Sequence, residues 1–114
     1  VLATKDIRNA ESWVATDVAN ALSTSLVDGG STSTQATLSW TDGGGFAHDA
    51  TYTLAQDGDL LRGLDGTVTT TVARGVTEAS FGLLDGSVTF AITVASSPGQ
   101  TRSSTLITNL MASN

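Results

Sequence analysis

The chain has 114 residues, a net charge of −6, 39% hydrophobic side chains and only 14% charged ones. This balance fits one domain with a modest core and excludes a disordered acidic tail. The five basic residues are scattered, which argues against nucleic acid as a partner. Cysteine is absent, which excludes disulfides, thiolate nucleophiles and zinc sites held by cysteine. The prevalence of Ser, Thr and Gly over Lys and Glu favours an exported protein.

The first segment is the only one that predicts a long helix. Residues 5–26 place apolar side chains at steps of three and four, the period of an α-helix: Ile7, Ala10, Val14, Val18, Ala21 and Leu22. No Gly or Pro interrupts the stretch up to Leu26. Three apolar residues precede the first charge without a capping residue, so we expect residues 1–26 to be the C-terminal half of a longer helix.

From residue 35 to residue 110 the pattern changes to alternation, the mark of strands with one buried face. The predicted strands are 35–41, 46–55, 67–73, a less regular one from about residue 79 to 84, 87–95 and 101–110, with a short apolar stretch at 60–64. Turns rich in Asp and Gly separate them. In the last strand the candidates for burial are Leu106, Ile107, Leu110 and Met111.

These elements predict an α+β fold over residues 1–114 as a single domain. Five or six strands form an antiparallel meander, and the N-terminal helix packs across one of its faces, since an antiparallel sheet can leave its other face in water.

The sequence offers little for catalysis. His48 is the only histidine, and no Gly-x-Ser-x-Gly motif supplies a nucleophile for it. Asp49 is adjacent to His48, but neighbouring strand residues point to opposite faces. We therefore interpret His48 as a sheet residue near a turn and predict that the chain is not an enzyme.

One turn carries a weak metal signal. Asp57 and Asp59 place two carboxylates in one turn, with Asp42 and Asp65 as possible neighbours, and carboxylate oxygens suit calcium. The twelve-residue calcium loop with its distal Glu is absent, so an ordinary turn without a cofactor is the favoured interpretation.

Two tryptophans are candidates for contacts. Trp40 lies on a predicted strand, where core packing is the favoured interpretation. Trp13 lies on the helix beside the apolar stripe and fits either the edge of the core or a contact with another subunit.

A helix followed only by antiparallel strands, with several short motifs in order, resembles the type IV pilin-like proteins. The resemblance is greatest to the minor pseudopilins of type II secretion. The segments that carry it are Asp6-Ile7-Arg8-Asn9-Ala10-Glu11, Asp17-Val18-Ala19-Asn20-Ala21-Leu22, Tyr52-Thr53-Leu54, Leu60-Leu61-Arg62, Val76 to Phe81 and Val88 to Val94.

The resemblance implies a structural subunit of a type IV pilus or a secretion-type filament. Such subunits are anchored in the cytoplasmic membrane by an apolar N-terminal helix, which the resemblance implies would precede residue 1, and assemble helix to helix with other pilin or pseudopilin subunits outside the cytoplasm. The expected assembly contacts here are Asp6, Arg8, Glu11 and Trp13. The alternative is a secreted β-rich carbohydrate-binding or adhesin module, which predicts exposed aromatic side chains in a row on the sheet.

Overall fold

The computed structural model describes residues 2–96 and 99–111, without the side chains of residues 2, 3, 68 and 96. Its one described helix, α1, spans Leu2–Asn20 and is followed by eight described strands. These are β1 (Ser23–Thr24), β2 (Gln35–Thr41), β3 (Ala47–Leu54), β4 (Leu60–Leu64), β5 (Val68–Ala73), β6 (Val76–Leu84), β7 (Ser87–Ser96) and β8 (Gln100–Asn109).

The prediction of an α+β fold, with one N-terminal helix packed against antiparallel strands, is confirmed. The prediction of a single meander is wrong, because the described strands form two sheets in the orders β1-β2-β3-β4-β5 and β6-β7-β8. The break falls at Gly75, which has a φ of 69° and separates β5 from β6. A Cβ at this position would lie 2.7 Å from the Ala95 carbonyl oxygen, so the close turn between the sheets requires glycine.

The hairpin turns agree with the Asp-Gly signals of the sequence. Asp65 and Gly66 join β4 to β5, and Asp85 and Gly86 join β6 to β7. All four residues have positive φ values, between 52° and 80°. This is the conformation of a type I′ turn, whose twist matches that of the flanking strands.

The core lies between α1 and the two sheets. The helix buries the predicted stripe apart from Leu22, namely Ile7, Ala10, Val14, Val18 and Ala21, against β2, β5, β7 and β8. Three aromatic rings connect the sheets at the centre: Phe81 of β6 lies 5.7 Å from Tyr52 of β3 and 4.9 Å from Phe90 of β7. Burial of this apolar surface supplies most of the stabilisation of the fold.

Most strand boundaries agree with the prediction to within one residue, but the end of the helix and the start of β6 differ by more. The helix ends at Asn20 because the Leu22 N–H donates to the Ser39 carbonyl, which turns the chain into β1 and leaves the Leu22 side chain 50% exposed. Strand β6 begins at Val76, since a register shift between Val76 and Glu78 interrupts the alternation on which the sequence prediction depended.

The last strand also corrects a burial prediction. Leu110 is buried and Leu106 half-buried, but Ile107 is on the opposite face of β8, and Ile107 and Met111 are exposed. The sequence also predicts that Val68 points inward on strand 67–73 and that Ser97-Pro98-Gly99-Gln100 forms a loop. The side chain of Val68 and the residues Ser97 and Pro98 lie outside what the structure describes.

Candidate functional site

The most enclosed polar group joins the helix to the first sheet. Asp17 of α1 receives two hydrogen bonds from Arg62 of β4, at 2.7 Å from Nε and 2.8 Å from Nη2, and a third from the hydroxyl of Tyr52. The ring of Trp13, one helical turn before Asp17, stacks on the Arg62 guanidinium at 4.5 Å. The exposed fractions of Asp17 and Arg62 are only 3% and 7%, so this cluster is part of the core.

The protonation states of the cluster agree with a structural role. Burial, together with the hydrogen bond to Asp17, raises the pKa of Tyr52 well above its ordinary value, so the hydroxyl keeps its proton and donates it. The hydrogen bond to Asp17 also raises the pKa of Arg62. Within the described residues no buried side-chain nitrogen or oxygen lacks a partner. The cluster fixes the rotation of α1 on the sheet and leaves no reactive group unpaired.

Sequence reasoning missed this cluster, because Asp17 falls beside the apolar stripe of the helix. A usable signal lay in β4, where Arg62 is two residues from both Leu60 and Leu64 and so lies on the same face of the strand as these leucines. An arginine on the inward face of a strand needs a buried acidic partner.

A second polar cluster lies on the surface, where two turns meet. The two ring nitrogens of His48 lie 2.7 Å from an Asp42 oxygen and 2.8 Å from an Asp65 oxygen. The other Asp65 oxygen accepts the backbone N–H of Asp49 at 2.8 Å. His48 is therefore a sheet residue near a turn, as predicted, and it links the β2–β3 turn to the β4–β5 turn. Because carboxylates occupy both nitrogens, the ring has none left to serve as a general base.

These contacts make the stability of the fold depend on pH. The hydrogen bonds to Asp42 and then Asp65 raise the pKa of His48, and the bond to His48 lowers the pKa of each carboxyl. The raised pKa of His48 stabilises the fold below the ordinary histidine value of about 6.5 and ceases to do so as pH rises through the folded value. The lowered carboxyl pKa values stabilise above about pH 4.

We therefore expect the variant His48→Gln to lose the most thermal stability near pH 5 and progressively less between pH 7 and 9. Thermal unfolding followed by circular dichroism at each pH measures the difference in Tm from the parent. Since His48 is the only histidine, a change of that difference between pH 5 and 9 reports the titration of His48 in its contacts with Asp42 and Asp65. The exposed carboxylate variant Glu78→Ala serves as a control, and a constant difference across the pH range would contradict the expectation.

Large exposed apolar side chains gather where α1 ends. Met111 donates to the Ala21 carbonyl and Leu110 to the Gly86 carbonyl, so Leu22, Met111 and Leu84 lie in neighbouring segments. A hydrogen bond from Gly29 to Leu83 brings Val27 to the same end, and Phe46 lies in the β2–β3 turn, which is at this end of the strands. We call these five residues the turn-end surface; they are Leu22, Val27, Phe46, Leu84 and Met111, each between 50% and 71% exposed.

The charges around the turn-end surface are negative. Five aspartates lie at this end of the molecule, in or beside its turns: Asp28, Asp42, Asp49, Asp65 and Asp85. Four of the five basic residues lie towards the other end, near the start of α1 or the start of β8: Lys5, Arg8, Arg74 and Arg102. The fifth, Arg62, is buried against Asp17. The turn-end surface is thus a set of exposed apolar side chains at one end of the molecule, with aspartates in the turns of the same end. Exposed apolar side chains with polar surroundings are common at protein interfaces.

The predicted calcium residues lie elsewhere. Asp57 Oδ1 accepts the backbone N–H of Asp59 at 3.0 Å, which is an ordinary turn contact. Asp42 and Asp65 lie at the opposite end of β3 and β4, bound to His48, so they are not the neighbours that the sequence suggested. Among the described residues no three acidic, histidine or cysteine side chains are arranged to hold a metal.

The predicted assembly contacts are spread along α1. Asp6 accepts the backbone N–H of Arg74 at 3.3 Å, and Glu11 accepts the hydroxyl of Ser104 at 2.7 Å. Arg8 is exposed. Trp13 is half-buried on Arg62, so three of the four residues make contacts within the molecule.

The aromatic side chains do not form an exposed row. Trp13 and Trp40 are half-buried and pack against the core, and the Trp40 ring lies 5.9 Å from the His48 ring. Phe46 is the single largely exposed aromatic side chain among the described residues.

Comparison of the chain with protein-family models, with curated proteins and with solved structures gave no match. The family assignment suggested by the resemblance to pilins and pseudopilins is therefore wrong. It depended on a helix followed only by antiparallel strands with short motifs in order, whereas the strands that carry those motifs belong to two separate sheets and no family model or relative supports the assignment. No helix in the described part of the chain combines the length and apolarity needed to cross a bilayer.

Proposed function

We propose that this protein is a non-enzymatic structural subunit that assembles with another protein through the turn-end surface. The observation that carries the proposal is that five exposed apolar side chains lie at one end of the molecule, where five aspartates also lie in or beside the turns. Exposed apolar side chains that occur singly need no explanation, but a group at one end marks a surface that another molecule covers.

The polar clusters support this proposal because both are occupied by contacts within the molecule. The Asp17 cluster is enclosed between α1 and the first sheet, and His48 is held between two carboxylates. Both clusters support the surface, since one orients the helix whose end borders it and the other holds the β2–β3 turn, which carries Phe46, against the β4–β5 turn. A rigid scaffold of this kind presents a surface without a large entropic cost on binding.

Site-specific crosslinking tests the proposal. A photoreactive phenylalanine derivative is placed at Leu84 or Phe46, and the protein is irradiated in the cells that naturally produce it. Matched positions are Gln56 and Thr77, which are exposed and lie away from the turn-end surface. We expect both turn-end positions to give one discrete adduct, with the same partner identified by mass spectrometry, and the control positions to give none. Equal adducts at all four positions, or none at Leu84 and Phe46, would contradict the proposal.

A further inference from the structure

The two sheets have four outer edges, and three of them are short or covered. The edge strand β1 has two residues. The end of the β5 edge is covered by α1, whose Asn9 donates to the Val72 carbonyl at 2.7 Å. The edge of β6 is bridged by the segment before β2, at Asp28 with Leu83 and at Ser33 with Phe81. Proteins generally protect their edges in these ways, because an open edge pairs with other chains.

The fourth edge, β8, is long and has no partner strand among the residues that the structure describes. Its ten residues pair with β7 alone, and they contain no proline, no lysine and a single charge, Arg102. The direction of the open groups follows from the ladder. The Leu110 N–H donates to the carbonyl of Gly86, the residue across from it, so the even-numbered residues of β8 are those whose backbone groups bond to β7. The Ala95 N–H donates to the Gly75 carbonyl, so the odd-numbered residues of β7 bond on the other side, away from β8. The N–H and C=O groups of residues 101, 103, 105, 107 and 109 therefore face outward.

We propose that the open edge of β8 pairs antiparallel with β8 of a second copy of this chain. The occupant follows from the sequence of the strand. The outward N–H and C=O groups of the two strands meet along the whole edge when Thr105 of one copy lies across from Thr105 of the other. This register sets Ser103 of each copy across from Ile107 of the other, and Thr101 across from Asn109.

In this register the only charge, Arg102, lies across from the uncharged Thr108, so no like charges oppose each other. The pairing is two-fold symmetric and joins two three-stranded sheets into one sheet of six strands. The β8 edge is distinct from the turn-end surface, so the inference goes beyond the proposed function.

Sedimentation velocity over a range of protein concentrations tests the pairing. The parent chain is expected to form dimers as its concentration rises. Thr105→Lys sets two lysines directly across from each other and should weaken the dimer by roughly tenfold or more. Thr69→Lys, at an exposed threonine of β5, is the matched control and should leave the dimer unchanged. Thermal unfolding of each variant verifies that it is folded.

A second measurement tests the register and does not depend on the lysine variant. Because the chain has no cysteine, Thr105→Cys introduces a single thiol. Across a hydrogen-bonded antiparallel pair the two Cα atoms would be about 5.5 Å apart, within the range of a disulfide. Mild oxidation should therefore link two Thr105→Cys chains covalently and leave Ser103→Cys chains unlinked, since Ser103 faces Ile107.

Three results would overturn the inference: a parent chain that stays monomeric at every concentration, a dimer that Thr105→Lys leaves unchanged, or crosslinking of Ser103→Cys as fast as that of Thr105→Cys. If the dimer were unchanged by Thr105→Lys but weakened by Leu84→Ser, the inference about β8 would be overturned and the proposed role of the turn-end surface would remain intact.

Discussion

Replacing Asp17 with alanine is expected to lower the free energy of unfolding by about 3–5 kcal/mol, because it leaves the guanidinium of Arg62 buried without its acidic partner. Arg62 is 7% exposed and directs two of its nitrogens at Asp17, so water cannot replace the lost carboxylate without opening the core. The hydroxyl of Tyr52 loses its acceptor in the same variant. Urea unfolding followed by circular dichroism measures the change.

Two further variants separate the cost of an unpaired charge from that of losing any carboxylate. Glu78→Ala removes an exposed carboxylate and should change the free energy of unfolding by no more than about 0.5 kcal/mol. The double variant Asp17→Asn with Arg62→Met removes both charges of the pair and should recover part of the loss, since no buried charge remains. If Asp17→Ala were as stable as Glu78→Ala, the buried pair would not hold the helix to the sheet.

Replacing Phe81 with alanine is expected to cost about 3–5 kcal/mol of unfolding free energy, as large buried aromatic side chains do when they leave a cavity. Phe81 is fully buried, with its ring between Tyr52 of the first sheet and Phe90 of its own sheet. The cavity would open where the two sheets meet, and the packed sheets could collapse into it only in part. The same urea experiment measures the loss.

Phe46→Ala is the matched control for this variant, because it makes the same chemical change at a side chain that is 70% exposed. It should leave the free energy of unfolding within about 0.5 kcal/mol of the parent. Phe81→Leu, which keeps more of the volume, should lose less stability than Phe81→Ala. Equal losses from Phe81→Ala and Phe46→Ala would show that the aromatic contact does not join the sheets.

As proposed, the turn-end surface and the β8 edge are two separate places for contact with other chains. One is a set of exposed apolar side chains with aspartates in the nearby turns, and the other is a row of backbone groups with little side-chain charge. A surface of the first kind selects its partner by shape and charge, whereas an edge strand supplies affinity through main-chain hydrogen bonds. The variants at Leu84 and Thr105 therefore address two independent interactions.

Local patterns predicted the parts of the fold that depend on neighbouring residues. The stripe from Ile7 to Ala21 and the alternation from Val88 to Val94 are buried as predicted, because side-chain direction within a helix or strand follows from its own period. The hairpin turns at the Asp-Gly pairs were also predicted from local sequence. By contrast, the exposure of Leu22 and Ile107 depends on where the helix stops and on which face of β8 meets the core.

The candidate sites were less predictable than the elements. His48 is paired with Asp42, six residues before it, and with Asp65, seventeen residues after it, because two hairpin turns happen to meet at one end of the sheet. Nothing in the sequence around any of these three residues indicates that meeting. The contact of Asp17 with Arg62 spans 45 residues in the same way.

The sequence by itself determined the helix, the positions of most strands, the hairpin turns and the α+β class, since each depends on periodicity and turn chemistry over a few residues. Only the tertiary structure decided that the strands divide into two sheets at Gly75, that Asp17 is buried with Arg62, and that β8 keeps an open edge. Those features depend on which distant segments come together, and packing of the whole chain selects among many pairings that local patterns leave equivalent.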